Sequence, residues 1–312
     1  MTRSIATVLI LAILSSASSP SAAESDAGTR RALVFCGHPG DAEHREQYAE
    51  TATKLAESLA KDLGFEEITL LFGAEDMQTD GGPVPESVSG PCTQESIRTA
   101  AAELRQSLEP DDALWVFMIG HAHLDGRHSW FNVAGADLHQ DHFGELFRSL
   151  KCREQVFWIT TPASGFYART LAQDRRVVIT ATEADREINA TVFPHVLANV
   201  LAEPPPDLDM DGDGTITLLD LYIAVARGVA QQYLEENALP TEHAQLEDNG
   251  DGRGTEIQID YLPEELGGRA ANPPQGPRAE NLDGGRAATI EIPLQPGEPR
   301  EAIVPFMSPP RR

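Results

Sequence analysis

Short apolar runs rich in β-branched residues alternate with longer helical patterns along residues 29–201. The strand candidates are residues 31–36, 67–72, 114–120, 130–133, 155–160 and 177–182. The helical patterns lie at residues 42–62, 94–108, 141–150 and 191–201. Alternation of this kind is typical of a parallel sheet covered by helices. It predicts an α/β fold around a mostly parallel central sheet of about six strands.

Three of the predicted strands lead directly into motifs that contain glycine, histidine or small polar residues. The motifs are VFCGHPGD, VFMIGHAHLDG and WITTPASG. Because parallel strands share one direction, we expect the motifs at the carboxyl edge of the sheet, where open α/β sheets bind ligands. The segment FWITTPASGFYA resembles a strand that ends at a catalytic residue, but Pro162 occupies the position of the nucleophile. Proline has neither a nucleophilic side chain nor a backbone N–H.

An acidic loop and a long amphipathic helix follow a proline-rich break after residue 201. The loop DMDGDGTITLLD, residues 209–220, has the spacing of an EF-hand-type calcium loop, with Gly214 at the sharp turn. Its predicted ligands are Asp209, Asp211, Asp213, the backbone carbonyl of Thr215, and Asp220. Calcium takes six to eight hard oxygen ligands, so the loop predicts Ca²⁺ binding, with a solvated acidic turn as the alternative. Because Asp220 replaces the usual glutamate, we expect weaker affinity than in cytosolic calcium buffers.

A second acidic run, LEDNGDGRGTE, matches the same loop less well. Glu247, Asn249, Asp251 and Gly252 fit positions 1, 3, 5 and 6, but Gly254 lies where an aliphatic residue belongs. This run is interpreted as a half-site or a structural turn.

Composition narrows the classes of partner. With 49 acidic and 24 basic residues the chain has a formal charge of −25, which repels nucleic acid and anionic lipid and favours cations. The chain has three cysteines, so a disulfide framework is excluded and at most one bridge can form.

The first residues have the order of a secretory signal peptide. Arg3 precedes an apolar run at residues 5–14, and small residues follow up to Ala23. The run is too short to span a bilayer, and no later segment resembles a membrane span. We therefore expect cleavage after about Ala23 and a secreted or periplasmic mature chain.

These patterns predict four parts of the chain. Residues 1–23 form the signal peptide, and residues 29–203 form the α/β domain. Residues 204–263 form a calcium-binding segment packed on its core, and residues 264–312 form a Pro/Gly-rich tail. Within the tail, the segment ATIEIPL is a candidate edge strand.

Legumain-like and caspase-like cysteine peptidases have a histidine after one strand and a nucleophile after the next strand but one. Residues 31–201 resemble that family, most closely its legumain-like branch. The resemblance rests on ALVFCGHPGDAEHREQYAETATKLAESL, ALWVFMIGHAHLDGRHSWF, VFWITTPASGFYA and RRVVITATEADREINA. It implies a three-layer caspase-like sandwich, to which the acidic loop adds an EF-hand (dockerin-like) element.

The resemblance also assigns site positions. His121 occupies the position of the catalytic histidine and Pro162 that of the nucleophilic cysteine. Pro39 occupies the position of an asparagine, and Arg45 lies near that of a substrate-pocket arginine. In that family a thiolate attacks the peptide carbonyl while the histidine transfers protons, and proline can do neither. The favoured interpretation is an exported, calcium-binding pseudopeptidase that binds an unknown protein or peptide partner.

Three further interpretations stay open. An active hydrolase would use Cys36, Thr161 or Ser164 as a displaced nucleophile with His121 as base. Alternatively, the calcium loop makes the chain a calcium-dependent protein-interaction module. A transition-metal site is the third, with candidate ligands His121, His123, His128, Asp125 and Asp137. Their spacing matches no zinc motif, which favours ordinary polar loop residues.

Overall fold

The computed structural model describes residues 28–184, 187–210, 212–262 and 282–297. The predicted signal peptide, the predicted ligand Asp211 and most of the predicted tail lie outside these ranges. Within them, the strands are β1 (Arg30–Cys36), β2 (Glu67–Phe72), β3 (Val88–Gly90), β4 (Ala113–Ile119), β5 (Ala122–Leu124), β6 (Ser129–Phe131), β7 (Leu138–His139), β8 (Glu154–Ile159), β9 (Arg176–Thr180) and β10 (Gln245–Glu247). The α-helices of the same ranges are α1 (Ala42–Lys61), α2 (Gln94–Ser107), α3 (Gln140–Leu146), α4 (Phe166–Leu171), α5 (Phe193–Ala202) and α6 (Leu218–Glu235).

The central sheet has the strand order β10-β9-β8-β4-β1-β2-β3, which makes seven strands in the described residues. Its neighbouring strands are parallel, except that β10 is antiparallel to β9. The predicted α/β fold with a mostly parallel sheet is confirmed. The sheet exceeds the expected six strands because the short strands β3 and β10 extend its two edges.

The predicted strand at residues 130–133 does not belong to the central sheet. It corresponds to β6, which pairs antiparallel with β5 and β7 in a separate three-stranded sheet. In β6, Phe131 is buried and Trp130 is half-buried. A short apolar run has this pattern in either kind of sheet, so periodicity alone cannot assign it.

Helices cover both faces of the central sheet. Successive side chains of a strand point to opposite faces, so each strand contributes to two cores. Val34 and Cys36 of β1 belong to the core that includes α1, α5 and α6, which we call the α1 face. Leu33 and Phe35 belong to the core that includes α2, α3 and α4, which we call the α2 face. The molecule therefore has the three layers that were predicted.

The chain after residue 203 contributes to this same architecture. Leu221, Tyr222 and Val225 of α6 are fully buried in the α1-face core, and α6 packs against α5. The sequence pattern therefore changes at residue 203, but residues on both sides of this boundary share one hydrophobic core. In the described ranges, none of the helices combines the length and apolar character that crossing a membrane requires.

The segment ATIEIPL does not extend the central sheet, contrary to its candidate role as an edge strand. It lies beside the end of the acidic loop, where Thr217 and Glu291 form an isolated antiparallel bridge. Leu218 N–H donates to the Ile290 carbonyl at 2.8 Å, and Ile292 N–H donates to the Ile216 carbonyl at 2.9 Å. The isoleucines of this pairing are buried in the α1-face core, which explains why the segment docks here.

Candidate functional site

The carboxyl ends of β1 and β4 meet at one edge of the sheet, as predicted. Gly37 N–H donates to the Ile119 carbonyl at 2.8 Å. Gly120 has φ +140°, and a Cβ at this position would lie 3.2 Å from the Gly37 nitrogen. Glycine therefore allows the two strand ends to approach closely, and it places the following His121 beside the turn that leads from β1 to α1.

His121 is held by two hydrogen bonds in the neutral state. Its Nε2 lies 2.9 Å from the Pro39 carbonyl oxygen, and its Nδ1 lies 3.4 Å from the Tyr48 hydroxyl. Because a carbonyl only accepts, Nε2 carries the proton and Nδ1 accepts from the tyrosine. Burial lowers the pKa of His121, and the neighbouring His44 lowers it further.

An aromatic crevice lies beside His121 on the α1 face. The ring of His44 is 4.5 Å from that of His121, and the Tyr48 ring stacks on His195 at 6.4 Å between centroids. His195 Nδ1 is hydrogen-bonded to the Thr51 hydroxyl. His44, Tyr48, Thr51 and His195 line a cleft of about 430 Å³ between α1 and α5, which we call the α1–α5 crevice.

The residues of this crevice were not predicted as site residues. His44, Tyr48 and Thr51 are separated by four and three positions, so they lie on one face of α1. That spacing is the one local signal of the crevice in the sequence. His195 is separated from Thr51 by 144 positions and reaches the crevice only through the packing of α5 on α1.

Pro162 lies in a buried junction between the ends of β8 and β9. The next residue, Ala163, has φ +50° and donates its N–H to the Glu187 carbonyl at 2.8 Å. Ser164 and Thr182 exchange two hydrogen bonds, in which each backbone N–H donates to the other residue's hydroxyl oxygen, at 2.8 and 3.0 Å. The segment that aligns with a nucleophile strand therefore serves to join two strand ends.

The candidate displaced nucleophiles form no hydrogen bond with His121 in the described residues. Cys36 is fully buried, and burial raises the pKa of its thiol well above the ordinary value, which disfavours the reactive thiolate. Ser164 is bonded to Thr182, and Thr161 is fully buried with its hydroxyl lacking a hydrogen-bond partner. Among the described residues, no serine, threonine or cysteine side chain hydrogen-bonds His121, whose bonds go to Tyr48 and Pro39.

Arg45 is fixed by the loop that follows β2. Its guanidinium donates to both carboxylate oxygens of Asp80 at 2.6 and 2.8 Å, and this pairing lowers the pKa of Asp80 to about 2. It also donates to the carbonyls of Met77 and Pro83 at 2.7 and 3.0 Å. These four bonds use most of the five N–H donors that a substrate-binding arginine would offer.

The acidic loop wraps around the carboxylate of Asp209. One Asp209 oxygen accepts from the N–H groups of Gly212 and Asp213 at 2.8 and 3.1 Å, and the other accepts from Gly214 N–H at 2.9 Å. Gly214 has φ +89°, a conformation that glycine adopts without strain. Asp213 accepts from Thr215 N–H at 2.7 Å. The described part of the loop thus has the tight turn that its sequence predicted.

Asp220 closes the loop and caps α6. Its Oδ2 accepts from Thr217 N–H at 2.9 Å and from the Thr217 hydroxyl at 2.6 Å, while its Oδ1 accepts from Met210 N–H at 2.9 Å. Each carboxylate oxygen has further lone pairs, and an all-oxygen donor set suits calcium. Within the described ranges, however, the one trio of acidic, histidine or cysteine ligand atoms within 4.8 Å of one another lies elsewhere. Asp209, Asp213 and Asp220, the described carboxylates of the loop, therefore do not form such a trio.

The second acidic run forms a turn that is tied to residues 282–297. Asp248 accepts from Gly284 N–H and Ala287 N–H at 2.9 and 2.8 Å. Glu247 is fully buried, one of its oxygens accepts from Gly252 N–H, and burial raises its pKa to about 7. These contacts favour the structural-turn interpretation over a metal half-site.

Glu242 anchors the start of α5, beside the α1–α5 crevice. It accepts from Val192 N–H at 2.7 Å, from Phe193 N–H at 3.1 Å and from the Tyr233 hydroxyl at 2.8 Å. Glu242 is only 6% exposed, and this burial raises its pKa from 4.5 to about 7. The folded state therefore keeps a proton that the unfolded state releases near the ordinary pKa.

The pH dependence of stability should change in the Glu242→Gln variant. Between the two pKa values the folded state binds more protons, so the wild-type free energy of unfolding falls as pH rises, by about 3 kcal/mol from this group. The variant should lack this contribution to the slope of unfolding free energy against pH. Urea unfolding at several pH values across this range measures the slope. Glu235→Gln, which changes an exposed glutamate of α6, should retain the wild-type slope. Equal slopes in Glu242→Gln and wild type would contradict the assignment.

Comparison with known proteins adds a distant structural likeness. No family model matches this sequence, and no curated protein sequence matches it. Among solved structures, the chain is similar to caspase-1 from Spodoptera frugiperda, with a TM-score of 0.45 and 13% identity. The alignment covers 71% of this chain and 86% of that chain. A likeness at this level gives no information about activity.

Proposed function

We propose that this chain is an exported calcium-binding protein with a legumain-like fold, whose site binds a peptide segment without cleaving it. The observation that carries the proposal is the state of His121. Both of its ring nitrogens are engaged, by the Pro39 carbonyl and the Tyr48 hydroxyl, while Pro162 lies where the resemblance expects a nucleophile. Cysteine peptidases require a thiolate beside a histidine, but Cys36 and Cys92 at this edge of the sheet are fully buried, and burial raises the pKa of both thiols.

The α1–α5 crevice supports a binding role. It is concave, it lies directly beside His121, and aromatic rings and hydroxyl groups line it. Such surfaces combine apolar contact with a few orienting hydrogen bonds, as peptide and small-molecule sites do. The formal charge of −25 favours a cationic peptide as the occupant.

In this proposal, calcium acts on the side of the molecule that carries the α1–α5 crevice. The acidic loop leads directly into α6, whose N-terminus is capped by Asp220, and α6 packs on α5. Since α5 carries His195 into the crevice, filling the loop would stabilise the helices that shape the crevice. The proposal of export rests on residues 1–23, which lie outside the described ranges.

A peptide-library assay tests the absence of catalysis. Purified mature protein, with calcium present, should cleave no peptide faster than a buffer blank, and His121→Ala and Cys36→Ala should give the same result. Hydrolysis that disappears in His121→Ala would overturn the pseudopeptidase proposal. Hydrolysis that disappears in Ser164→Ala or Thr161→Ala would identify the displaced nucleophile.

The binding role is tested with the peptides that the wild type captures from the same library. His44→Ala and His195→Ala should weaken that binding, because both rings line the crevice. His123→Ala serves as a control, since this exposed histidine lies in the small sheet and outside the crevice lining. If all three variants bound the peptides as tightly as the wild type does, the crevice would not be the peptide site.

A further inference from the structure

Two histidines and an aspartate converge where the small sheet meets α3. His128 Nε2 lies 3.7 Å from Asp141 Oδ2, and His139 Nδ1 lies 3.8 Å from the same oxygen. In the described part of the chain, these residues form the one trio of potential ligand atoms that all lie within 4.8 Å of one another. The candidate ligands suggested by the sequence were instead His121, His123, His128, Asp125 and Asp137.

The distances are close to those of a metal site. Zinc bonds imidazole nitrogen and carboxylate oxygen at about 2.0–2.2 Å, so tetrahedral ligands lie about 3.4 Å apart. The two separations exceed this value only slightly, and a metal ion on His139 Nδ1 would replace the hydrogen bond that this nitrogen accepts from Asp141 N–H at 3.2 Å. The Asp141 side chain is 52% exposed and can rotate toward the histidines without disturbing the core.

Asp125 holds His128 in the orientation that a metal requires. Asp125 Oδ2 lies 3.4 Å from His128 Nδ1, which leaves Nε2 directed at Asp141. The Asp125 carboxylate is itself fixed by Trp130 Nε1–H at 2.9 Å and by Arg127 N–H at 2.8 Å. A carboxylate on the far nitrogen of a ligating histidine fixes its tautomer and raises its basicity.

We propose that His128, His139 and Asp141 bind a divalent transition-metal ion of the zinc class. Imidazole nitrogens suit zinc and its neighbours, whereas calcium prefers oxygen ligands, so this site differs in chemistry from the acidic loop. Three protein ligands leave a fourth position for water or a ligand, as in catalytic zinc sites.

Two of the three proposed ligands line a cleft. His128 and Asp141 both line a cavity of about 830 Å³, together with Arg127, Arg169 and Arg253. These guanidinium groups are concentrated on one surface of a strongly acidic protein. A metal ion beside several arginines favours a small anion, such as a carboxylate, as the additional ligand.

Calorimetry and cobalt spectroscopy on the full chain test the site. Titration with Zn²⁺ in excess calcium should show one bound equivalent, and Co²⁺ should give visible absorption typical of a low-coordinate nitrogen and oxygen site. His128→Ala should abolish both signals. His139→Asn should do the same while keeping a side-chain acceptor at the N-cap of α3. Asp125→Asn should weaken Zn²⁺ binding by about 10–100-fold while the ligands stay in place.

His123→Ala is the matched control for these variants. His123 lies on the same small sheet and its Nδ1 is hydrogen-bonded to Asn132 Oδ1 at 2.8 Å, outside the ligand trio. This variant should bind Zn²⁺ as the wild type does. No Zn²⁺ binding by the wild type, or unchanged affinity in both His128→Ala and His139→Asn, would overturn the proposal.

Discussion

Calcium is expected to raise the free energy of unfolding by about 2.7 kcal/mol when its free concentration is 100 times the dissociation constant, because it binds only the folded loop. The Asp209→Ala variant should lose this increment. Asp209 is the first predicted ligand, and its carboxylate also organises the backbone N–H groups of the turn. Urea unfolding of the variant and the wild type, each with calcium and with a chelator, measures the increment.

The increment must be separated from a general loss of stability, since Asp209→Ala also removes hydrogen bonds within the loop. The readout is therefore the difference between the calcium and chelator curves of each protein. Asp174→Ala removes the same charge from a side chain that is 95% exposed, and it should keep the full increment. A wild type without any increment, or an Asp209→Ala variant that retains it, would contradict the calcium assignment.

The interior of the sheet could be predicted from the sequence because its strands are buried on both faces. β1, β4 and β8 are long apolar runs with few polar interruptions, and such runs are typical of parallel strands beneath two helical layers. β3 and β10 have three residues each and show no such run. Their pairing depends on tertiary contacts, which local propensity does not record.

The candidate site was predictable to the extent that it lies at strand ends. The His121 motif and Pro162 follow apolar strands, so topology alone brings them to the carboxyl edge. Tyr48 and His195 come from helices whose mutual packing the sequence does not specify. The sequence therefore indicated where the site lies, but not that an aromatic crevice adjoins it or that both nitrogens of His121 are engaged.

The histidine cluster shows how strand register limits sequence reasoning. His139 faces Trp130 because β6 and β7 pair in one register, and α3 begins directly afterwards with Asp141 in its first turn. A shift of one residue would turn His139 to the other side of the small sheet. Spacing along the chain therefore suggested His121 and His123 as companions of His128, whereas the fold provides His139 and Asp141.

Replacing Arg176 with methionine should destabilise the protein by about 3 kcal/mol. Arg176 is 1% exposed, and burial lowers its pKa to about 10, so it stays charged at neutral pH. Its guanidinium donates to the carbonyls of Leu171 and Phe147 at 2.8 and 2.7 Å and to Gln155 Oε1 at 2.7 Å. Methionine preserves much of the apolar stem but leaves these buried acceptors without their donor, at the ends of α3 and α4.

Arg175 provides the matched control, because it is the adjacent arginine and its side chain is 73% exposed. Arg175→Met should change the free energy of unfolding by no more than about 0.5 kcal/mol, as surface substitutions usually do. Urea unfolding of the two variants under identical conditions gives the comparison. A destabilisation of less than about 1 kcal/mol in Arg176→Met would contradict this prediction. It would mean that other donors or water satisfy the buried carbonyls, and that Arg176 does not hold α3 and α4 against the sheet.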